Sequence, residues 1–223
     1  MIISHKHKFI YIKGGRVAGT TIEIFFENFC GDNDIVGARG LNAQHGPGLP
    51  KCLIPEVRKS TSEAKEKLEW WNHMPARMIK NKLQNDQQWK TYFKFGATRN
   101  PWDREVSAYC SRYHSNDPSH KAYTKGTPLS ESVSHAGPLS FLYKDKGAFA
   151  LDDYIRFEDL NNEIKRICNK LNLPFNKELI GHHKGEHRDP QKHYTEYYDH
   201  KTRLSVAKRY KEDIKYFGYE FGE

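Results

Sequence analysis

The stretch that most constrains this chain runs from Phe9 to Phe26: Phe-Ile-Tyr-Ile-Lys-Gly-Gly-Arg-Val-Ala-Gly-Thr-Thr-Ile-Glu-Ile-Phe-Phe. Phe9 to Ile12 is a short β-branched and aromatic run, which is what a buried strand requires. Gly14 and Gly15 break it. From Thr20 the period changes: Ile22, Phe25, Phe26 and Phe29 recur at three- and four-residue spacing, an apolar helix stripe with Glu23 and Glu27 between them as a solvated face. A strand, a glycine turn and a helix start aim backbone N–H groups and the positive end of a helix dipole at one spot, which makes an anion site. Gly14, Gly15, Arg16, Val17, Ala18 and Gly19 form the turn, and Thr20 and Thr21 add hydroxyl donors.

Gly14 and Gly19 have the G-x-x-x-x-G spacing of a nucleotide-binding P-loop, but Thr20 stands where an NTPase needs Lys. The basic residues come earlier, at Lys13 and Arg16. A P-loop kinase or NTPase is therefore an alternative with a missing part, and no acid pairs with it as a convincing Walker B. A net charge of +8 and a pI near 9.2 suit an anionic ligand, whether nucleotide, acidic glycan or nucleic acid. Charge alone does not choose among these. A basic binding module without catalysis accounts for the charge, yet no RNA- or DNA-binding signature accompanies it.

At 223 residues the expectation is a single domain over 1–223, with loop excursions at about 37–58 and 115–137. Cys30, Cys52, Cys110 and Cys168 are far apart and form no C-x-x-C pair, so idle or buried thiols are expected rather than zinc or a redox dithiol. Neither a signal-peptide core nor a run of about 20 apolar residues is present, and the reading is a cytoplasmic protein without a membrane segment.

Further along, 60–69 reads as a polar surface helix, and Trp70 and Trp71 as packing residues. Pro75 opens a helix to about Leu83, which Asn85-Asp86 ends. Tyr92 to Thr98 is a second buried strand. Arg99-Asn100-Pro101-Trp102-Asp103-Arg104 comes next at its C-terminal end, then a helix with Val106, Tyr109, Cys110 and Tyr113 on one face. Ligands in open α/β sheets gather at the C-terminal ends of parallel strands, so Arg99 and Lys13 are expected on one edge. Phe141 to Tyr143 is a short helix. Tyr154 to Phe157 is a third strand, followed by a helix that Asp159 caps and Pro174 stops. Residues 181–193 make a basic, glycine-bearing loop, and a last helix runs from Asp199 through Tyr210.

With the glycine loop and the Arg99 segment both in view, the sequence resembles a PAPS-dependent sulfotransferase, nearest the carbohydrate-type and bacterial members. Lys13 to Glu23 looks like their loop for the 5′-phosphosulfate, and Arg99-Asn100-Pro101-Trp102-Asp103-Arg104-Glu105-Val106-Ser107-Ala108-Tyr109 is similar to their 3′-phosphate segment. Arg156-Phe157-Glu158-Asp159-Leu160 and Phe217-Gly218-Tyr219-Glu220-Phe221 are weaker pieces in the expected order. The resemblance implies a three-layer, P-loop-like α/β fold with a central parallel sheet of four or five strands. It implies transfer of a sulfuryl group from PAPS to a hydroxyl or amine of an acceptor, a glycan or a small hydroxylated molecule, giving PAP without a metal. It also implies phosphate contacts from Arg99 and Ser107, with Lys184, His187, Arg188 and Lys192 of the 181–193 loop reaching the nucleotide. Arg16 stands where the family loop usually has Lys, so either Arg16 or Lys13 supplies the charge at the leaving oxygen, or turnover is lost. His73, at a helix start upstream of the second strand, is the candidate base for the acceptor hydroxyl.

Overall fold

The computed structural model describes residues 1–37, 70–83, 85–113, 127–132, 136–181, 188–189 and 191–223. The 60–69 helix, most of both loop excursions, Cys52, Lys184 and His187 lie outside the described residues. Strands β1 (Ile2–Ser4), β2 (Phe9–Tyr11), β3 (Ile35–Val36), β4 (Phe93–Thr98) and β7 (Asp153–Arg156) form one sheet in the order β3-β1-β2-β4-β7. The pairs β2–β4 and β4–β7 are parallel, and β1 runs antiparallel to both its neighbours. Four strands therefore share one direction and β1 opposes them. The short pair β5 (Lys144–Asp145) and β6 (Ala148–Phe149) forms a separate ribbon.

Helices flank the sheet: α1 (Gly19–Glu27), α2 (Ala76–Lys82), α3 (Asp86–Thr91), α4 (Pro101–Tyr113), α5 (Ser140–Tyr143), α6 (Leu160–Lys170), α7 (His200–Arg209) and α8 (Lys211–Phe217). The stripe on α1 does what its spacing requires. Phe25 and Phe26 are fully buried, and the Phe26 ring meets Phe95 of β4 at 5.0 Å between centroids. The face of α4 read from the sequence, Val106, Tyr109, Cys110 and Tyr113, packs with Tyr194, Val206 and Tyr210 into a second apolar cluster. Trp70 is buried in the main core.

Several local features differ from the sequence reading. Glu23 and Glu27 are fully buried rather than solvated, and Glu23 sits there because it has two cations to accept from. Asn85 does not only end a helix: its side chain caps α3, accepting from the Gln87 N–H at 2.8 Å. Asp159 precedes α6 without capping it, its carboxylate taken by the Asn162 amide at 2.9 Å. The last helix breaks at Tyr210 and resumes as α8. Strand β1 was not expected, since three apolar residues before His-Lys-His-Lys look like a tail. Buried Asp34 gathers it in, accepting from the Ser4 hydroxyl at 2.9 Å and the His5 N–H at 2.6 Å.

Tyr143 of α5 positions the sheet edge. Its hydroxyl donates to the Ala97 carbonyl at 2.7 Å and accepts from the Ala97 N–H at 3.1 Å. A Cβ on Gly14 would lie 2.5 Å from that hydroxyl, and one on Gly96 2.7 Å from the tyrosine Cζ. These glycines exist for close approach.

Candidate active site

Register brings the two expected segments together. Tyr11 pairs with Phe95 in the parallel β2–β4 ladder, and the Ile12 N–H reaches the Phe95 carbonyl at 2.9 Å. Both strands therefore deliver their C-terminal continuations, Lys13 to Gly19 and Arg99 to Arg104, to one edge of the sheet. The strain of the loop falls on residues other than glycine. Arg16 has φ 63° and Ala18 φ 55°, both left-handed. Gly19 serves a different purpose: a Cβ there would stand 2.6 Å from the Gly14 carbonyl oxygen and 3.0 Å from Lys13 Cγ. The G-x-x-x-x-G spacing thus closes the loop upon itself.

No side chain caps α1, and the first helical hydrogen bond runs from the Ile22 N–H to the Ala18 carbonyl at 3.0 Å. The N–H groups of Gly19, Thr20 and Thr21 consequently point out of the helix start as donors. Thr20 is half-buried. The Thr21 hydroxyl is directed elsewhere, donating to the Gly181 carbonyl at 3.3 Å. That contact ties the beginning of the 181–193 segment to the loop.

The cations occupy two levels. Lys13 runs beneath the loop and is buried, its Nζ donating to Glu23 Oε2 at 2.7 Å, while Glu23 Oε1 accepts from the Met1 amine at 2.5 Å. One carboxylate thus holds both cations. Arg16 lies above, half-buried, and pairs with no carboxylate among the described residues. Partial burial and the nearby guanidiniums of Arg112, Arg99 and Arg104 lower its pKa from the ordinary arginine value. It stays charged at any working pH.

Arg99 is held on three sides. Its Nε donates to Asp103 Oδ2 at 2.7 Å, its Nη1 reaches the Arg16 carbonyl at 3.4 Å, and its Cζ lies 3.9 Å from the Phe157 ring centroid. The other Asp103 oxygen takes Arg188 Nη1 at 2.5 Å. One carboxylate therefore brings together two residues read from distant parts of the sequence. Ser107 is half-buried on α4, four residues beyond Asp103 and on the same side of the helix. Lys192 is drawn off toward the Tyr197 ring, 4.2 Å from its centroid.

The weaker motifs meet behind Arg99. Asn100 donates its N–H to Glu158 at 2.6 Å and its side-chain amide to the Glu220 carbonyl at 2.8 Å, and the Tyr219 hydroxyl donates to Glu158 at 3.0 Å. Both segments are braces. Arg104 is the residue that sequence reading quoted without a role. Nearly fully buried, it donates Nε to the Gly15 carbonyl at 2.8 Å and Nη2 to the Gly137 carbonyl at 2.7 Å. Its position five residues after Arg99 signalled only that it belonged to the same run.

His73 stands over this loop. Its backbone is left-handed at φ 57°, and its Cε1 lies 4.0 Å from where a Cβ on Gly15 would be. Nδ1 donates to the Lys13 carbonyl at 3.0 Å, which leaves Nε2 unprotonated in the neutral ring. Crowding by the loop and then the Lys13 charge hold its pKa down, to about 4. The ring is therefore neutral at pH 7.

Among the described residues no group of His, Cys, Asp and Glu has the arrangement of a metal site, and no helix is long and apolar enough to cross a membrane. No curated protein matches the sequence. The crystal structure of mouse sulfotransferase SULT7A1 complexed with PAP is similar over 96% of this chain and 87% of that one, at 11% identity and a TM-score of 0.45. The profile of the Sulfotransferase family matches residues 1–138, a span that contains the glycine loop, His73 and the whole Arg99–Tyr109 run. The chain belongs to the sulfotransferase family.

Proposed function

We propose that this sulfotransferase takes its sulfuryl group from PAPS, held across the C-terminal ends of β2 and β4, and passes it to an acceptor hydroxyl, leaving PAP. The observation that carries the reading is Arg16. A guanidinium with no carboxylate partner among the described residues, gathered beside three others, is an arrangement that an anion relieves. The residues fit the two ends of the nucleotide. The N–H groups of Gly19, Thr20 and Thr21 and the Arg16 side chain would hold the 5′ end. Arg99, Ser107 and Arg188 would take the 3′-phosphate, the planar forks of the arginines matching its oxygens.

PAPS supplies an activated sulfuryl group whose departure leaves negative charge on a phosphate oxygen. Arg16 stabilises that charge electrostatically and donates no proton, because guanidinium stays protonated. Lys13, paired with Glu23, supports the loop from beneath. His73 accepts the acceptor proton at Nε2, the tautomer being fixed by its Nδ1–H bond to Lys13. Cys30, Cys110 and Cys168 are buried thiols in no disulfide among the described residues, which fits a reducing compartment, and we place the reaction in the cytoplasm.

Thermal unfolding with PAP, ADP or ATP, with and without magnesium, tests this reading. PAP in hundredfold excess over Kd is expected to stabilise the chain by about 2.7 kcal/mol, without regard to magnesium, and ADP far less. A preference for ATP with magnesium would favour a kinase and overturn it. Release of PAP from PAPS then separates a working enzyme from a protein that binds PAP without turnover, the alternative that arginine in place of the usual loop lysine raises.

A further inference from the structure

An open cleft of about 740 Å³ is lined by Arg77 of α2, by Gly137, Ser140 and Phe141, and by Lys144, Lys146 and Glu212. Its wall is joined to the site by one side chain. Arg104 bonds the Gly137 carbonyl of the cleft and the Gly15 carbonyl of the loop at once, so the two carbonyls lie within the reach of one guanidinium. Leu139 extends the same contact, its Cδ2 2.8 Å from where a Cβ on Gly14 would sit. On the far side, Arg77 comes four residues after His73. One wall of the cleft therefore lies close to the turn of the loop that His73 stands over.

Its lining is not that of an idle surface. Lys144 is matched by Glu212 at 2.7 Å, which leaves Arg77 and Lys146 as exposed cations with no carboxylate partner among the described residues. On the same lining Phe141 is 63% exposed, and the Arg77 Cζ lies 5.6 Å from its ring centroid. An apolar ring face and two cations thus open onto the same space, a surface that a flat ring carrying an anion complements.

We propose that this cleft is the acceptor subsite and that it takes a hydroxylated ring compound bearing its own carboxylate. The ring lies on Phe141, the carboxylate between Arg77 and Lys146, and the hydroxyl is presented toward His73. The inference rests on the sulfotransferase reading above. A sugar acid and a hydroxybenzoate share this chemistry, and both enter the test.

Calorimetric binding to the PAP-loaded chain tests it, with cellobiouronic acid and 4-hydroxybenzoate as probes and cellobiose and phenol as their neutral counterparts. PAP binding is measured first, so that failure there is charged to the nucleotide reading and not to the cleft. At least one carboxylated probe is expected to bind about tenfold more tightly than its neutral counterpart, and which one does identifies the source. Arg77→Ala and Lys146→Ala are each expected to remove most of that advantage while leaving PAP affinity and the neutral probes unchanged. Phe141→Ala should weaken charged and neutral probes alike. Equal binding of charged and neutral probes, no binding of any probe to a chain that holds PAP, or indifference to both cation substitutions would overturn the proposal.

Discussion

His73 has two protonation stories, one for the free protein and one for the complex. In the free protein its pKa sits at about 4, so the neutral, basic form persists well below the ordinary imidazole range and is lost only as pH falls through that value. A bound dianionic phosphate favours the imidazolium and moves the value up. We predict that the acidic limb of kcat/KM lies below the usual 6.5 of histidine and that the limb of kcat lies above that of kcat/KM. Coincident limbs near 6.5 would mean that His73 is not the group observed. His73→Ala is expected to lower kcat by about 10²–10⁴-fold without changing PAP affinity. Asp103 poses a question of sign. Its carboxylate holds Arg99 at 2.7 Å and Arg188 at 2.5 Å, yet it also places negative charge beside the phosphate site. If orienting the two arginines dominates, Asp103→Asn weakens PAP binding about tenfold, the loss of roughly one charged hydrogen bond. Tighter binding in a titration would show that the carboxylate competes with the phosphate instead. Arg16, Arg99 and Ser107 were all legible as residues. That Asp103 joins Arg99 to Arg188 was not, because the two arginines are 89 positions apart and only the fold sets that distance.

The loop between β2 and α1 was the easiest element to read and the one whose internal reasons were least apparent. Glycine in a turn suggests positive φ, but here the left-handed residues are Arg16 and Ala18, while Gly14 and Gly19 are small because backbone, Lys13 and Tyr143 press against them. Gly19→Ala is therefore expected to displace the loop and not merely stiffen it. A Cβ 2.6 Å from a carbonyl oxygen has no flexible neighbour to push aside, and overpacking of this kind costs about 1–3 kcal/mol. Thermal unfolding should show that loss together with an abolished response to PAP. A variant that unfolds earlier yet responds to PAP in full would show that the loop accommodates the methyl. Amphipathic α1 and the α4 face were legible because period and composition agree. Strand β1 and α3 were not, since each is too short to carry a period and is held by a distant or single side chain, Asp34 for the first and Asn85 for the second.

Over the whole molecule, charge is distributed by depth. The Lys13–Glu23 pair, the Met1 amine and Arg104 lie in the interior, whereas Arg16, Arg99 and Arg188 are only half-buried. Nucleotide recognition through exposed and half-exposed cations is screened by salt, with a Debye length that falls from about 10 Å at 0.1 M to about 3 Å at 1 M. PAP affinity is accordingly expected to fall steadily across that range while the unfolding midpoint of the free chain changes little, which a salt series of both measurements would check. The net charge of +8 pointed to an anion but not to its place, because the positions that define the edge come from the parallel pairing of β2 with β4.

The Tyr143 hydroxyl ties three positions of the sequence into one inherited unit. While it stays lodged against residues 14 and 96 and bonded to Ala97, neither glycine can drift to alanine; once it is lost, position 96 becomes free to vary, whereas position 14 is still crowded by Leu139. Related chains should therefore change 96 and 143 in concert, and a lineage with a smaller residue at 143 is where a side chain at 96 would first be found, while one at 14 would need a change at 139 as well.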